Sequence, residues 1–223
     1  LYFRGLPRLM GNVTLNSALI SPPVTLADVP LSRPVKLGVL ASGSGSNYGA
    51  IAKAMIAKEL NAEIPILIYN NPKAKVLERA ATFGTKTQLI NHRDFASREA
   101  CDQAILDCLR AHGVEWVIMA GWMRIVTDVL LTGYENRILN IHPSLLPSFK
   151  GIRAVEQALA AGVKVTGCSV HFASPEVDSG DIIMQAVVPI LADDTPETLH
   201  ARIQVQEHRI FPAAIALAVS QYS

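Results

Sequence analysis

From Val35 onward, short continuous apolar runs alternate with segments in which apolar residues recur at helical spacing. The strand-like runs cover residues 36–40, 64–69, 87–90, 116–120, 138–141, 165–171 and 182–188. Helical periodicity predicts helices over 47–60, 74–82, 97–112, 125–131 and 153–160. A last helix is expected from Thr195, with Pro196 in its first turn and a kink or break at Pro212. Strands that are apolar throughout and separated by helices belong in a sheet covered on both faces. The expected fold is therefore α/β, a Rossmann-like, doubly wound, mostly parallel sheet of about seven strands with helices on both faces. Only the polar stretch 173–181 separates the last two strand-like runs, so that end of the sheet has room for an antiparallel member.

Residues 1–34 break the alternation. They carry Pro7, Pro22, Pro23, Pro30 and Pro34 and one acid, Asp28. The start, Leu1-Tyr2-Phe3-Arg4-Gly5, resembles the remnant of a protease-cleavable tag. The rest of this stretch is expected to be a poorly ordered extension or a trimmed targeting peptide, with 35–223 as a single domain.

Composition narrows the function class. A chain of 223 residues supports one sizeable core. Its formal net charge of +1 makes no electrostatic case for nucleic acid or an anionic membrane. No apolar run approaches the length of a membrane span. Cys101 and Cys108 share a helical stripe with Ala104, Ile105 and Leu109, and Cys168 lies in a strand-like run. No Cys-x-x-Cys or closely spaced His pair suggests a metal, so none is expected.

Three segments carry chemistry. The first strand runs into Ala41-Ser42-Gly43-Ser44-Gly45-Ser46-Asn47 and then a helix. Glycines let the backbone approach an anion, and the helix N-terminus presents free N–H groups to it. No Gly-Lys-Ser/Thr follows, and Tyr48 stands where a dinucleotide fingerprint has its third glycine. A phosphate monoester is the expected ligand, with a ligand-free strand–helix turn as the alternative. The second segment is Asn140-Ile141-His142-Pro143, in which the amide and the imidazole sit two apart on one strand face. Such a pair suits a reaction that develops negative charge on oxygen. The third is the acidic loop with Glu176, Asp178 and Asp181, where a carboxylate on the same rim would favour an imidazolium. Solvated loop acids are the alternative there.

Together, Ser42-Gly-Ser-Gly-Ser-Asn47, Ala120-Gly-Trp-Met-Arg-Ile125, Asn140-Ile-His-Pro-Ser-Leu-Leu-Pro147 and Ser169-Val-His-Phe172 with Asp178-Ser-Gly180 closely resemble the folate-dependent formyltransferase family. Within it they resemble the phosphoribosylglycinamide formyltransferases of purine synthesis. The resemblance runs from about Lys36 to the C-terminal helix. It implies 10-formyltetrahydrofolate as formyl-donor cosubstrate, the amine of glycinamide ribonucleotide as acceptor, and no metal. It also implies small-molecule partners, a monomer or weak homodimer, and a cytoplasmic enzyme, or an organellar one if residues 1–34 include a targeting peptide. By the same resemblance, Asn140, His142 and Asp178 form the catalytic trio. Gly45, Ser46 and Asn47 hold the substrate phosphate, and Gln204 and Glu207 lie near the ribonucleotide. Met123, Arg124, Ile125 and Val126 line the folate pocket, with Asn140 and Arg98 as further folate contacts. Two other readings remain: another formyl-folate enzyme, or a non-catalytic phosphate- or nucleotide-binding module that would have no use for the trio.

Overall fold

The computed structural model describes residues 19–222. Alternation along the central strand sets the layers. In β2 (Val35–Ala41), Leu37, Val39 and Ala41 enter one apolar cluster and Leu40 enters another. The first cluster packs beneath α1 (Ser46–Ile56), α2 (Val76–Phe83), α5 (Ala154–Ala160) and α6 (Pro196–Tyr222). The second packs beneath α3 (Arg98–Ala111) and α4 (Asp128–Gly133). Burial on both faces is why these strands read as unbroken apolar runs. Cys101 and Cys168 are buried, one in each cluster.

The other strands are β1 (Ile20–Ser21), β3 (Ala62–Tyr69), β4 (Thr87–Leu89), β5 (Trp116–Met119), β6 (Ile138–His142), β7 (Val165–Phe172) and β8 (Ile182–Pro189). Their order is β1-β8-β7-β6-β5-β2-β3-β4. Strands β4, β3, β2, β5 and β6 are mutually parallel. β7 runs antiparallel to both β6 and β8. The chain winds outward from β2 in both directions, so the switch point, where such sheets bind ligands, lies at the carboxyl ends of β2 and β5.

The sheet therefore has eight strands where seven were expected. The added one, β1, pairs antiparallel with β8 through Ile20 opposite Ala186. It comes from the stretch expected to be poorly ordered. Within that stretch, Ile20, Val24, Leu26, Val29 and Leu31 pack against the first cluster, while residues 1–18 lie outside the described residues. Two other expectations need correction. Residues 125–127 are loop, and α4 starts at Asp128, because buried Asp102 of α3 takes the Thr127 N–H at 2.6 Å. α6 runs through Pro212 without interruption. An interior proline costs a helix about 3 kcal/mol. Here the flanking Ile210, Phe211 and Ala213 to Ala216 are all buried, and their packing holds the helix together. Among the described residues no helix is long and apolar enough to cross a membrane.

Candidate active site

The Gly-rich turn leaves β2 and enters α1 with Gly45 as N-cap, at φ +69°. A Cβ at Gly45 would lie 2.3 Å from Val76 Cγ2, so α2 is seated against the turn. Val76 N–H donates to the Gly43 carbonyl at 3.0 Å, and Arg79 Nε donates to the Ser44 carbonyl at 2.9 Å. On the other side, α6 closes the cradle. Gln204 Nε2 donates to Ser46 Oγ at 2.9 Å, and Asn47 Nδ2 donates to Glu207 at 3.0 Å. Gln204 and Glu207 lie one turn apart on α6, which is why both reach the start of α1. Burial pushes the Glu207 carboxyl above its usual range, against the Asn47 bond and the charge of His200. The five residues expected around the ribonucleotide are thus brought together. Asn47 Oδ1 is buried with no partner.

The trio assembles from β6 and the loop after β7. Asn140 and His142 share the face that carries Ile138, away from α6. Asp178 reaches the same place. Its Oδ2 is 3.3 Å from His142 Nδ1, and Asn140 Nδ2 points at Oδ1 at 3.4 Å. The pair is nearly closed to solvent, with side-chain exposures of 7% for His142 and 8% for Asp178. His142 Nε2 donates to the Phe149 carbonyl at 2.8 Å, and Gly151 N–H donates to Asp178 Oδ2 at 2.8 Å. Both ring nitrogens of His142 therefore face acceptors, the arrangement that suits an imidazolium. Burial alone would raise the Asp178 carboxyl. The hydrogen bond with His171, the Gly151 N–H and the charges of His142 and His171 outweigh it and hold the carboxyl below its usual value.

His171 is a member of this site with no role expected from the sequence. It stands directly opposite Asn140 in the β6–β7 ladder. Its Nε2 is 3.1 Å from Asn140 Nδ2 and 3.6 Å from Asp178 Oδ1, and its Nδ1 is 2.8 Å from the Phe172 carbonyl. The signal was present in the parity of the strand, since Ser169 and His171 alternate with buried Cys168 and Val170. Pairing register, which no single strand contains, was needed to read it. Phe149, Lys150 and Gly151 were also missed.

The loop after β5 links the two groups. Ser42 N–H donates to the Gly121 carbonyl at 3.1 Å, and Met123 N–H donates to Ser42 Oγ at 2.9 Å. Met123 is 75% exposed and Ile125 52% exposed, large apolar surface that the fold itself leaves uncovered. Val126 differs from them, being buried in the cluster beneath α3 and α4. Beside the loop lies a cavity of about 400 Å³ lined by Ser42, Asn70, His92, Arg93, Met123 and Arg124, among others. Arg124 Nε is buried there without a partner. Arg98 is exposed at the first position of α3, and no bond joins it to the rest of the site.

Comparison with known proteins bears on the same residues. A sequence-family model described as Formyl transferase matches residues 35–215. The chain is 43% identical over 180 residues to the phosphoribosylglycinamide formyltransferase of Bacillus subtilis (strain 168), covering 81% of this chain and 92% of that protein. It is 44% identical over 186 residues to the trifunctional purine biosynthetic protein adenosine-3 of Gallus gallus, covering 83% of this chain but only 18% of that much longer protein. The crystal structure of glycinamide ribonucleotide transformylase 1 from Symbiobacterium toebii superposes with a TM-score of 0.83 at 44% identity, covering 85% of this chain and 90% of the other. The matched span takes in the cradle, the trio and the turns of α6 that face the cradle, and the chain belongs to the formyl transferase family.

Proposed function

We propose that this chain transfers the formyl group of 10-formyltetrahydrofolate to the amine of glycinamide ribonucleotide, a step of purine (IMP) synthesis. The observation that carries the reading is one sheet edge holding both an anion cradle and a closed Asn–His–Asp trio. The cradle contributes Gly45, Ser46 and Asn47, tied to Gln204 and Glu207 on α6. The trio contributes Asn140, His142 and Asp178. A module that only bound phosphate would have no use for a buried carboxylate–imidazole pair. The exposed Met123 and Ile125 fit the flat apolar face of a pterin, whose polar edge backbone groups of the same loop would meet. The unpartnered Nε of Arg124 suits an anionic part of the same cosubstrate.

The chemistry follows from the donors. The amine lone pair attacks the formyl carbon, and the carbonyl π pair moves to oxygen. His142 and the Asn140 amide donate to that oxyanion. The Phe149 carbonyl occupies Nε2, so the proton offered to substrate sits on Nδ1, the nitrogen beside Asp178. Asn140 meets Asp178 at 3.4 Å, the longer of its two contacts, and that N–H is the one available to substrate. Collapse of the intermediate breaks the bond from the formyl carbon to the folate nitrogen. That nitrogen takes up the proton that the amine has lost, with Asp178 as the relay.

Asp178→Asn keeps the shape and removes the charge. The expected result is a kcat lower by on the order of 10²–10³, with ligand Kd values retained, because the lost interaction matters in the transition state. The measurement is formyl transfer to glycinamide ribonucleotide without ATP, with titration of each ligand alongside. Wild-type kcat in this variant would remove Asp178 from the mechanism.

A further inference from the structure

Phe149, Lys150 and Gly151 form a strap: Phe149 and Gly151 each hold one member of the catalytic pair, and Lys150 holds the loop that carries Asp178. The Phe149 carbonyl accepts from His142 Nε2, and Gly151 N–H donates to Asp178 Oδ2, both at 2.8 Å. Lys150 Nζ reaches Ser179 Oγ at 2.5 Å and the Glu176 carboxylate at 3.6 Å, both on the loop that carries Asp178. The strap is conformationally unusual. Phe149 has φ +57°, Gly151 φ +79°, and Asp178 opposite them φ +49°. A bulky residue stays in the left-handed region only where surrounding contacts over-determine it. One such contact is visible. Gln157, on the exposed side of α5, donates through Nε2 to the Lys150 carbonyl at 3.1 Å and to the Ile152 carbonyl at 2.9 Å.

We propose that Gln157 and Lys150 are positioning residues, which lock the strap in the conformation that orients the His142 ring and the Asp178 carboxylate. The proposal rests on the reading of His142 and Asp178 as catalytic. His142 is pinned at one nitrogen by the strap and at the other by Asp178. Asp178 is in turn pinned by the strap through Gly151. Gln157 touches neither catalytic side chain, so its effect passes through the backbone of 150–152. A small displacement of a reacting donor is costly, since misplacement by about 1 Å can cost on the order of a hundredfold in rate.

The test compares Gln157→Glu with Gln157→Lys, and Lys150→Met with Lys150→Arg. Gln157→Glu keeps the shape but turns an acceptor toward two carbonyls, whereas Gln157→Lys restores a donor. The expected result is a kcat lower by on the order of tenfold to a hundredfold in Gln157→Glu and Lys150→Met. KM for both substrates and Tm stay near wild type, and most of kcat returns in Gln157→Lys and Lys150→Arg. Wild-type kcat in both disabling variants overturns the proposal. So does a loss that follows Tm or that the restoring variants share, because the role is then plain stability. Asp178→Asn is assayed in parallel. If that variant is impaired while Gln157→Glu and Lys150→Met are not, the strap proposal alone fails. If Asp178→Asn is fully active, the catalytic reading fails first.

Discussion

Asn140 on β6 and His171 on β7 are direct cross-strand partners, and their side chains meet with Nδ2 and Nε2 3.1 Å apart. A protonated His171 donates Nε2–H to Asp178 Oδ1, whereas a neutral ring that gives its Nδ1 proton to the Phe172 carbonyl accepts at Nε2 from the Asn140 amide. The neutral form turns the NH₂ end of Asn140 toward His171 and Asp178. His171→Phe removes the acceptor and frees the amide to rotate. One lost hydrogen bond of about 1 kcal/mol corresponds to a kcat roughly fivefold to tenfold lower. Steady-state kinetics check it, and an unchanged kcat would show that Asn140 is oriented without His171.

The cradle separates packing from binding. Gly45→Val strains a left-handed position by about 1–2 kcal/mol and drives its side chain into Val76. Tm is expected to fall together with ribonucleotide affinity. Ser46→Ala is the cleaner probe, since it removes only the hydroxyl that accepts from Gln204. It should raise KM for the ribonucleotide, leave KM for formyl folate unchanged and leave Tm near wild type. Equal losses for the two substrates would contradict the assignment of this end of the site.

Ile125 offers a stability-neutral test of the folate side. It is 52% exposed, so Ile125→Asp costs the fold little. A carboxylate against a flat apolar ring is poorly solvated, and KM for formyl folate should rise far more than KM for the ribonucleotide. A defect selective for the ribonucleotide would exchange the two ends of the site.

The fold shifts the Glu207 and Asp178 carboxyls in opposite directions. Burial raises the Glu207 carboxyl, so the unfolded chain ionises before the folded one. Stability from this group therefore falls as pH climbs from the ordinary carboxylate value through the raised folded one. Asp178 is held low, so its contribution is present above the ordinary value and is lost as pH drops through the folded one. Glu207→Gln should flatten the decline on the alkaline side of the carboxylate range and leave the acid limb in place. Tm measured against pH for both proteins decides it. An identical slope on the alkaline side would mean that Glu207 is ionised at no unusual cost.

Much of this fold is legible in the chain itself. All seven expected strands are present within a residue or two, because strands buried on both faces are apolar throughout and helices interrupt them. The cradle and the Asn140–His142 pair were legible because each is a local pattern: glycines ahead of a helix, and two polar residues at strand parity. Features without a local pattern were not legible. β1 is two residues long and exists only because β8 offers it an edge. α4 starts late because a carboxylate from α3 caps it. Pro212 passes through α6 because packing around it outweighs the missing bond.

The class of sheet, the Gly-rich turn ahead of α1 and the amide–imidazole pair are written in the chain, since these depend on periodicity and on sequence neighbours. Which groups complete the candidate site depends on packing between distant segments. His171 joins by cross-strand register, Glu207 and Gln204 by the packing of α6 against α1, and Phe149 and Gly151 by left-handed turns that bring backbone groups onto His142 and Asp178. These contacts span large separations along the chain, and their geometry is set by how the layers pack. Local propensity carries no record of that packing.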